Sequence, residues 1–174
     1  TQTMNKFVTH SIRFVVFVLV QALILNHLEF GWGILIIVYP LFVFLLPNDL
    51  NIAFSLIIAF AMGFAIDLLS DTFGLHASAL VVFAYLKPLV FARFAKQDDY
   101  ENLKEANIYT MGTSWFIYTF GILLFFHHLW FFLFEIANFG EIVYIIQKTV
   151  LSLIVSFLFS VGLQIIFVPK PKER

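Results

Sequence analysis

The side chains able to carry chemistry in this chain are few, and most sit inside apolar runs. Asp67 ends one hydrophobic stretch, His76 opens the next, His127 and His128 lie inside a third, and Lys148 lies inside a fourth. Asp98, Asp99, Glu101 and Glu105 cluster in a polar loop, which reads as a solvated segment or as a docking surface for a partner. Paired histidines raise the question of a metal. Adjacent positions on a helix do not face one another, and neither a His-Glu-x-x-His pattern nor a cysteine accompanies them. They are expected to pack or to lie at an interface, and no metal or other cofactor is expected. His76 reads as a cap or contact residue rather than a ligand. No serine–histidine–acid grouping, phosphate-cradling glycine loop or carboxylate dyad sits on a credible catalytic scaffold. The chain therefore reads as a protein that is not an enzyme; an intramembrane enzyme needs a dyad that is not visible here.

Asp67 is the charged residue that most needs an explanation. An ionisable group in a spanning helix costs about 2.5–3.5 kcal/mol at the helix centre and less near an interface. Asp67 lies one turn before Asp71, where Ser70-Asp71-Thr72-Phe73-Gly74 joins two hydrophobic segments with no spare length. A tight helical hairpin is expected, with Gly74 at a positive-φ position. Asp67 is expected to accept hydrogen bonds from Ser70, Thr72 or the turn amides. Ala59-x-x-x-Gly63 fits the small-x-x-x-small pattern of close helix approach. Asp67 then either caps and orients the hairpin, or offers a polar handle to a partner or a buried ion pair.

The 174-residue chain that holds these residues is 61% hydrophobic and 12% charged, with mean hydropathy +0.96. Soluble domains are roughly 45–50% apolar and a quarter charged. The apolar runs are continuous rather than alternating, which indicates spanning helices and not a membrane barrel. The 24 phenylalanines need only lipid-facing or helix-packing roles. A net charge of −1 gives no case for nucleic acid, and the absence of cysteine excludes disulfides and thiolate metal sites. Thr1-Gln2-Thr3 before Met4 reads as a tag remnant, and the first apolar run as a retained helix rather than a signal peptide.

A span needs about 20 apolar residues. Residues 12–30 form the first, with Gln21 and Asn26 expected to face other helices and Trp32 at an interface. The second run, 33–47, is short for a span and contains Pro40, so a kink or a reentrant course is expected. Helix three is expected at 51–70 and helix four at 75–95, with Pro88 bending it and Lys87 snorkelling to the nearer interface. Residues 96–106 form the one extended polar loop. Helix five is expected from about 107 to 128, with the excess aromatic run 129–134 lying along the surface, and helix six from 142 to 168. Lys6, Arg13, Arg93, Lys96, Lys104, Lys170, Lys172 and Arg174 fall at the two termini and after span four, whereas the turns after spans one, three and five carry no Lys or Arg. Six spans with both termini cytoplasmic satisfy the positive-inside rule. Lys148 and Asp67 then lie at similar depth near the outer face, and an ion pair between them is expected, with Glu141 as the competing partner for Lys148.

One stretch also resembles a known family. Gly63-x-x-x-Asp67-x-x-Ser70-x-x-x-Gly74-Leu75-His76-Ala77 is similar to the most recognisable part of MreD, the rod shape-determining membrane protein. Ala84-Tyr85-Leu86-Lys87-Pro88 followed by Asp98-Asp99-Tyr100-Glu101 resembles a helix end and acidic loop of the same family, with Lys87 where Arg is usual and Asp99 where Gly is usual. The resemblance implies an all-α polytopic bundle of six transmembrane helices, similar to the substrate-binding subunits of energy-coupling-factor transporters. It implies a single membrane domain in the bacterial inner membrane and a non-catalytic role in the cell-elongation complex that supports peptidoglycan synthesis. The implied direct partner is MreC, in a wider complex with MreB, RodA and a class B penicillin-binding protein. Gly63, Asp67, Ser70, Gly74, Leu75 and His76 are then the expected partner contacts near the outer end, and Asp98, Asp99, Tyr100 and Glu101 the contacts of the cytoplasmic loop. A small-molecule-binding subunit of an energy-coupling-factor transporter is the alternative, and it needs a pocket with several convergent polar groups.

Overall fold

All regular elements in the computed structural model are helices; it describes residues 2–28, 30–94 and 106–168. Five are long: α1 (Gln2–Leu23), α3 (Ile52–Ser70), α4 (Leu75–Phe94), α6 (Thr113–Ile136) and α7 (Ile142–Phe167). Two are short: α2 (Pro40–Phe44) and α5 (Ile108–Met111). Five helical segments are long and apolar enough to cross a membrane. The protein is a helical membrane bundle. Helix α4 is central, packed between α3 and α6, with α1 on the far side of α3 and α7 on the far side of α6.

The bundle is apolar outside. Phe54, Ile57, Phe60, Phe64 and Leu68 line the outer face of α3, and Val143, Ile146, Val150, Ile154 and Leu158 that of α7; all are exposed. Such continuous apolar surface is rare on a protein that faces water. The inward face of α7 is the polar one. Lys148, Ser152, Ser156, Ser160 and Gln164 recur at every fourth position, and all are buried.

The second apolar run is not a helix. Residues 35–38 carry no helix, Ile34 before them is extended, and Tyr39 already has the helical φ/ψ that leads into α2, the one short helix of this run. Among the described residues five helices, not six, are long and apolar enough to span, and the second apolar run passes through the bundle mostly without helix. The cause is local: Gly31-Trp32-Gly33 and Pro40 bound a run too short to cross as a helix, and Ile34, Ile36, Ile37 and Val38 are β-branched. Pro40 opens α2 at a position whose amide has no helical partner in any case.

The ends of this segment lie at opposite ends of the bundle. Asn26 Nδ2 donates to Ser70 Oγ at 2.8 Å, which ties the end of α1 to the end of α3. The turn at 31–33 therefore lies near this hairpin end. Asn51, which caps the start of α3, is the 19-residue helix away, or about 28 Å. Every residue from Ile36 to Phe44 is buried.

Backbone at such depth must find its hydrogen bonds within the protein. Here side chains supply them. Leu35 N–H donates to Ser152 Oγ at 3.1 Å and Ile37 N–H to Ser156 Oγ at 2.9 Å. Val38 N–H donates to Gln21 Oε1 at 2.9 Å, and Gln21 Nε2 donates to Ile36 O at 2.9 Å. At the opposite end, Lys87 Nζ donates to Val43 O at 3.2 Å and Leu46 O at 2.8 Å. Lys87 is thus buried against the C-terminal end of α2, where its ammonium is held by backbone carbonyls of the protein.

Two further boundaries differ from expectation. Gly112, at φ +84°, separates α5 from α6. Helix α6 then runs unbroken to Ile136 and absorbs 129–134, burying Phe131 and Phe132, so no separate surface-lying aromatic segment exists. Many phenylalanines form the core: the Phe44 ring centroid lies 5.3 Å from those of Phe91 and Phe116 and 5.1 Å from that of Phe120.

Candidate functional site

The hairpin stretch forms as a joint between α3 and α4. A Cβ on Gly63 would fall 2.4 Å from Ala77 Cα and 2.6 Å from His76 O, so the two backbones touch at this glycine. The expected close approach through Ala59 and Gly63 is observed, with both residues buried. Asp71 closes α3 in the left-handed conformation at φ 57°, and Gly74 takes φ +80° as the turn requires.

Asp67 reaches across this joint. Its Oδ1 accepts from Thr72 Oγ1 at 2.6 Å and from His76 N–H at 3.0 Å; its Oδ2 accepts from Ala77 N–H at 2.9 Å. Two of these donors are among the first amides of α4, which lack partners within their own helix. A carboxylate also suits the positive end of the helix dipole. Of the donors expected for Asp67, Thr72 is correct. Ser70 instead accepts from Asn26, and the amides belong to α4 rather than to the turn.

His76 continues the network inward. Its Nδ1 lies 3.0 Å from the Tyr39 hydroxyl, and that hydroxyl lies 2.9 Å from His127 Nε2. Tyr39, His76 and His127 are all buried. One hydroxyl proton serves two imidazoles, so one ring must donate and the other accept. His127 Nδ1 has no partner. An orphan acceptor costs less than an orphan N–H, so His127 donates from Nε2 to Tyr39, and Tyr39 donates to His76 Nδ1.

His128 faces a different neighbour. Its Nδ1 lies 2.9 Å from Leu124 O, which only accepts, so Nδ1 carries the proton. Its Nε2, 3.1 Å from Ser156 Oγ, then accepts from that hydroxyl. The paired histidines therefore point apart, as their adjacency requires, and both are buried packing residues rather than interfacial ones. Among the described residues, no three of His, Asp and Glu converge on a metal position.

The expected ion pair between Asp67 and Lys148 is not formed. Lys148 Nζ bonds Glu135 Oε2 at 2.6 Å and sits 4.8 Å above the Phe132 ring. Glu141 is not its partner either. Glu135 stands near the end of α6, directly across from Lys148, while the amides of α4 already occupy Asp67. Of the expected partner contacts, Gly63, Asp67 and His76 are buried and engaged inside the chain. Ser70, Gly74 and Leu75 are half-buried. Phe73, at the tip of the turn, is fully exposed, and Trp32 and Phe139 are also exposed. Asp98, Asp99, Tyr100 and Glu101 lie outside the described residues.

Sequence reasoning did not foresee Tyr39 or the serines of α7 as site residues. The signal was available in the four-residue spacing from Lys148 to Gln164, which puts five polar groups on one helical face. Two cavities, about 330 and 60 Å3, lie at the opposite end of the bundle from this network. Comparison with protein-family profiles, curated proteins and solved structures finds no match to this chain.

Proposed function

We propose that this chain is a non-catalytic integral membrane component of the bacterial cell-elongation complex, of the MreD kind, acting by binding MreC in the inner membrane. One observation carries the reading: the motif on which the resemblance rests behaves as a single structural unit. Gly63 sets the approach of α3 to α4, Asp67 caps α4, Gly74 permits the turn, and His76 ties the joint to Tyr39. Such a motif specifies a fold, and the fold then presents its outer surfaces to partners. The wider complex would include MreB, RodA and a class B penicillin-binding protein. The extended segment supplies the sixth crossing of the proposed topology, with both termini cytoplasmic, and the bundle is proposed to be akin to the energy-coupling-factor substrate-binding subunits.

A placement role also accords with the chemistry of the interior. The Tyr39, His76 and His127 chain has the form of a proton relay, yet its members are buried among Phe83 and Phe131. The transporter alternative draws less support, because the larger cavity is lined almost wholly by apolar side chains. The test is co-expression of this chain with MreC bearing its transmembrane helix, followed by affinity purification in mild detergent. A stoichiometric complex is expected. Elution of this chain alone, under conditions where MreC is folded and membrane-inserted, overturns the reading.

A further inference from the structure

The larger cavity is a groove between α1 and α7, floored by the threaded segment. Val16, Phe17 and Val20 form one wall, Leu163 and Phe167 the other, and Val38, Leu41 and Leu45 line the floor. Its volume is about 330 Å3. Ile12 and Val16 are exposed beside it, so it opens along its length to the surroundings of the bundle. In a membrane those surroundings are acyl chains.

The groove is polar at one end only. Arg13 and Gln164 both line it there. Arg13 is half-buried and, among the described residues, has no ion-pair or hydrogen-bond partner. Gln164 is fully buried; its Oε1 accepts from Ile108 N–H at 3.0 Å, which fixes the amide orientation, and its Nε2 has no partner. A buried amide donor without an acceptor is unfavourable, and this one belongs to a side chain that lines the groove. From Arg13 to Val20 the apolar wall runs seven residues, about 10 Å of helix away from the polar end.

We infer that this groove is a site for one anionic phospholipid. The phosphate pairs with the Arg13 guanidinium, a glycerol ester carbonyl accepts from Gln164 Nε2, and the first half of one acyl chain lies along Val16, Phe17 and Leu41. The order of groups matches the molecule: charge outermost, ester next, hydrocarbon deepest. A basic residue between helices near a membrane surface is the arrangement that selects acidic headgroups. A transmembrane helix of another protein fits less well, because it would bring apolar side chains against Arg13 and leave Gln164 Nε2 unpaired. The inference does not depend on the proposed function; it needs only that the bundle sits in a bilayer.

Native mass spectrometry of the full chain in mild detergent tests it, with palmitoyl-oleoyl phosphatidylglycerol and the matching phosphatidylethanolamine as probes. One phosphatidylglycerol per chain is expected to be retained in preference to phosphatidylethanolamine. Arg13→Gln should weaken phosphatidylglycerol about tenfold, the loss of one charge-assisted contact, and should weaken phosphatidylethanolamine, whose phosphate carries its own ammonium counter-charge, by less. Val16→Trp should fill the groove and abolish tight retention of both, whereas Ile57→Trp, on the exposed face of α3, should not. A photoreactive side chain at position 16 in native membranes should capture lipid. Equal binding of the two lipids, no effect of Arg13→Gln, retention by Val16→Trp, or capture of a protein at position 16 would each overturn the assignment.

Discussion

Gln21→Leu should be among the most damaging single changes in this bundle, although it replaces a polar residue by an apolar one of similar size in a membrane helix. Gln21 is fully buried and holds the threaded segment at two points, Val38 N–H and Ile36 O, each at 2.9 Å. Its Nε2 also donates to Asn26 Oδ1 at 2.7 Å. Leucine leaves both backbone groups unpaired in a dry interior, at about 1–3 kcal/mol each. The expected loss is therefore about 2–6 kcal/mol. This exceeds the roughly 0.6 kcal/mol average measured for polar contacts between membrane helices. Helices that lose a side-chain contact keep their own backbone bonds, whereas extended chain has none to keep. Equilibrium unfolding in detergent micelles, followed by far-ultraviolet circular dichroism, measures the loss. Gln147→Leu, at an exposed position of α7, serves as control and should stay within about 0.5 kcal/mol of the parent. Amide exchange gives a second readout, since Val38 should be protected in the parent and unprotected in the variant. A Gln21→Leu protein as stable as the control, with Val38 still protected, would refute the claim that side chains hold this crossing.

Three further changes probe the joint and the ion pair. Gly63→Ala should cost about 1–3 kcal/mol as α3 and α4 are forced apart; Gly121→Ala, with open space around its Cβ, should be neutral or stabilising in the same unfolding assay. Asp67→Asn replaces one acceptor oxygen by a donor facing an amide, and should cost about 2 kcal/mol, with amide exchange accelerating first at His76 and Ala77. Reversing either charge of Glu135 and Lys148 alone should reduce the yield of folded protein, and the double exchange should restore most of it, whereas exchanging Asp67 with Lys148 should rescue nothing.

The hairpin was legible because its determinants are local. Gly63, Asp67, Thr72 and Gly74 lie within twelve residues, and turn chemistry and small-residue packing act over that range. The long helices were legible because lipid imposes length and apolarity on each. The pairing of Lys148 was not, since depth in a membrane ranks candidates without orienting helices; Glu135 lies thirteen residues away in the chain and directly opposite in space. The course of 33–47 was half legible. Pro40 and the short length signalled an irregular crossing, but an extended strand without strand neighbours has no sequence pattern of its own. Its evidence lay in other elements, in Gln21 and in the serines of α7.

Those serines show how a helix can substitute for a neighbouring strand. Four residues of α-helix rise about 6.0 Å, and two residues of extended chain advance about 6.6 Å. Running side by side in the same direction, the two stay in step for several repeats. Lys148 lies against Gly33, Ser152 bonds Leu35 and Ser156 bonds Ile37. In extended chain alternate amides point the same way, so a hydroxyl at every fourth helical position meets every second N–H. The next pair would join Ser160 to Tyr39, but there the chain turns into α2, and Ser160 Oγ has no partner. Tyr39 sends its side chain to His76 and His127 instead, which is why the network beneath the hairpin begins where the serine ladder ends. The polar face of α7 and the buried Tyr39 chain are thus two consequences of one event, the passage of non-helical backbone through the bundle.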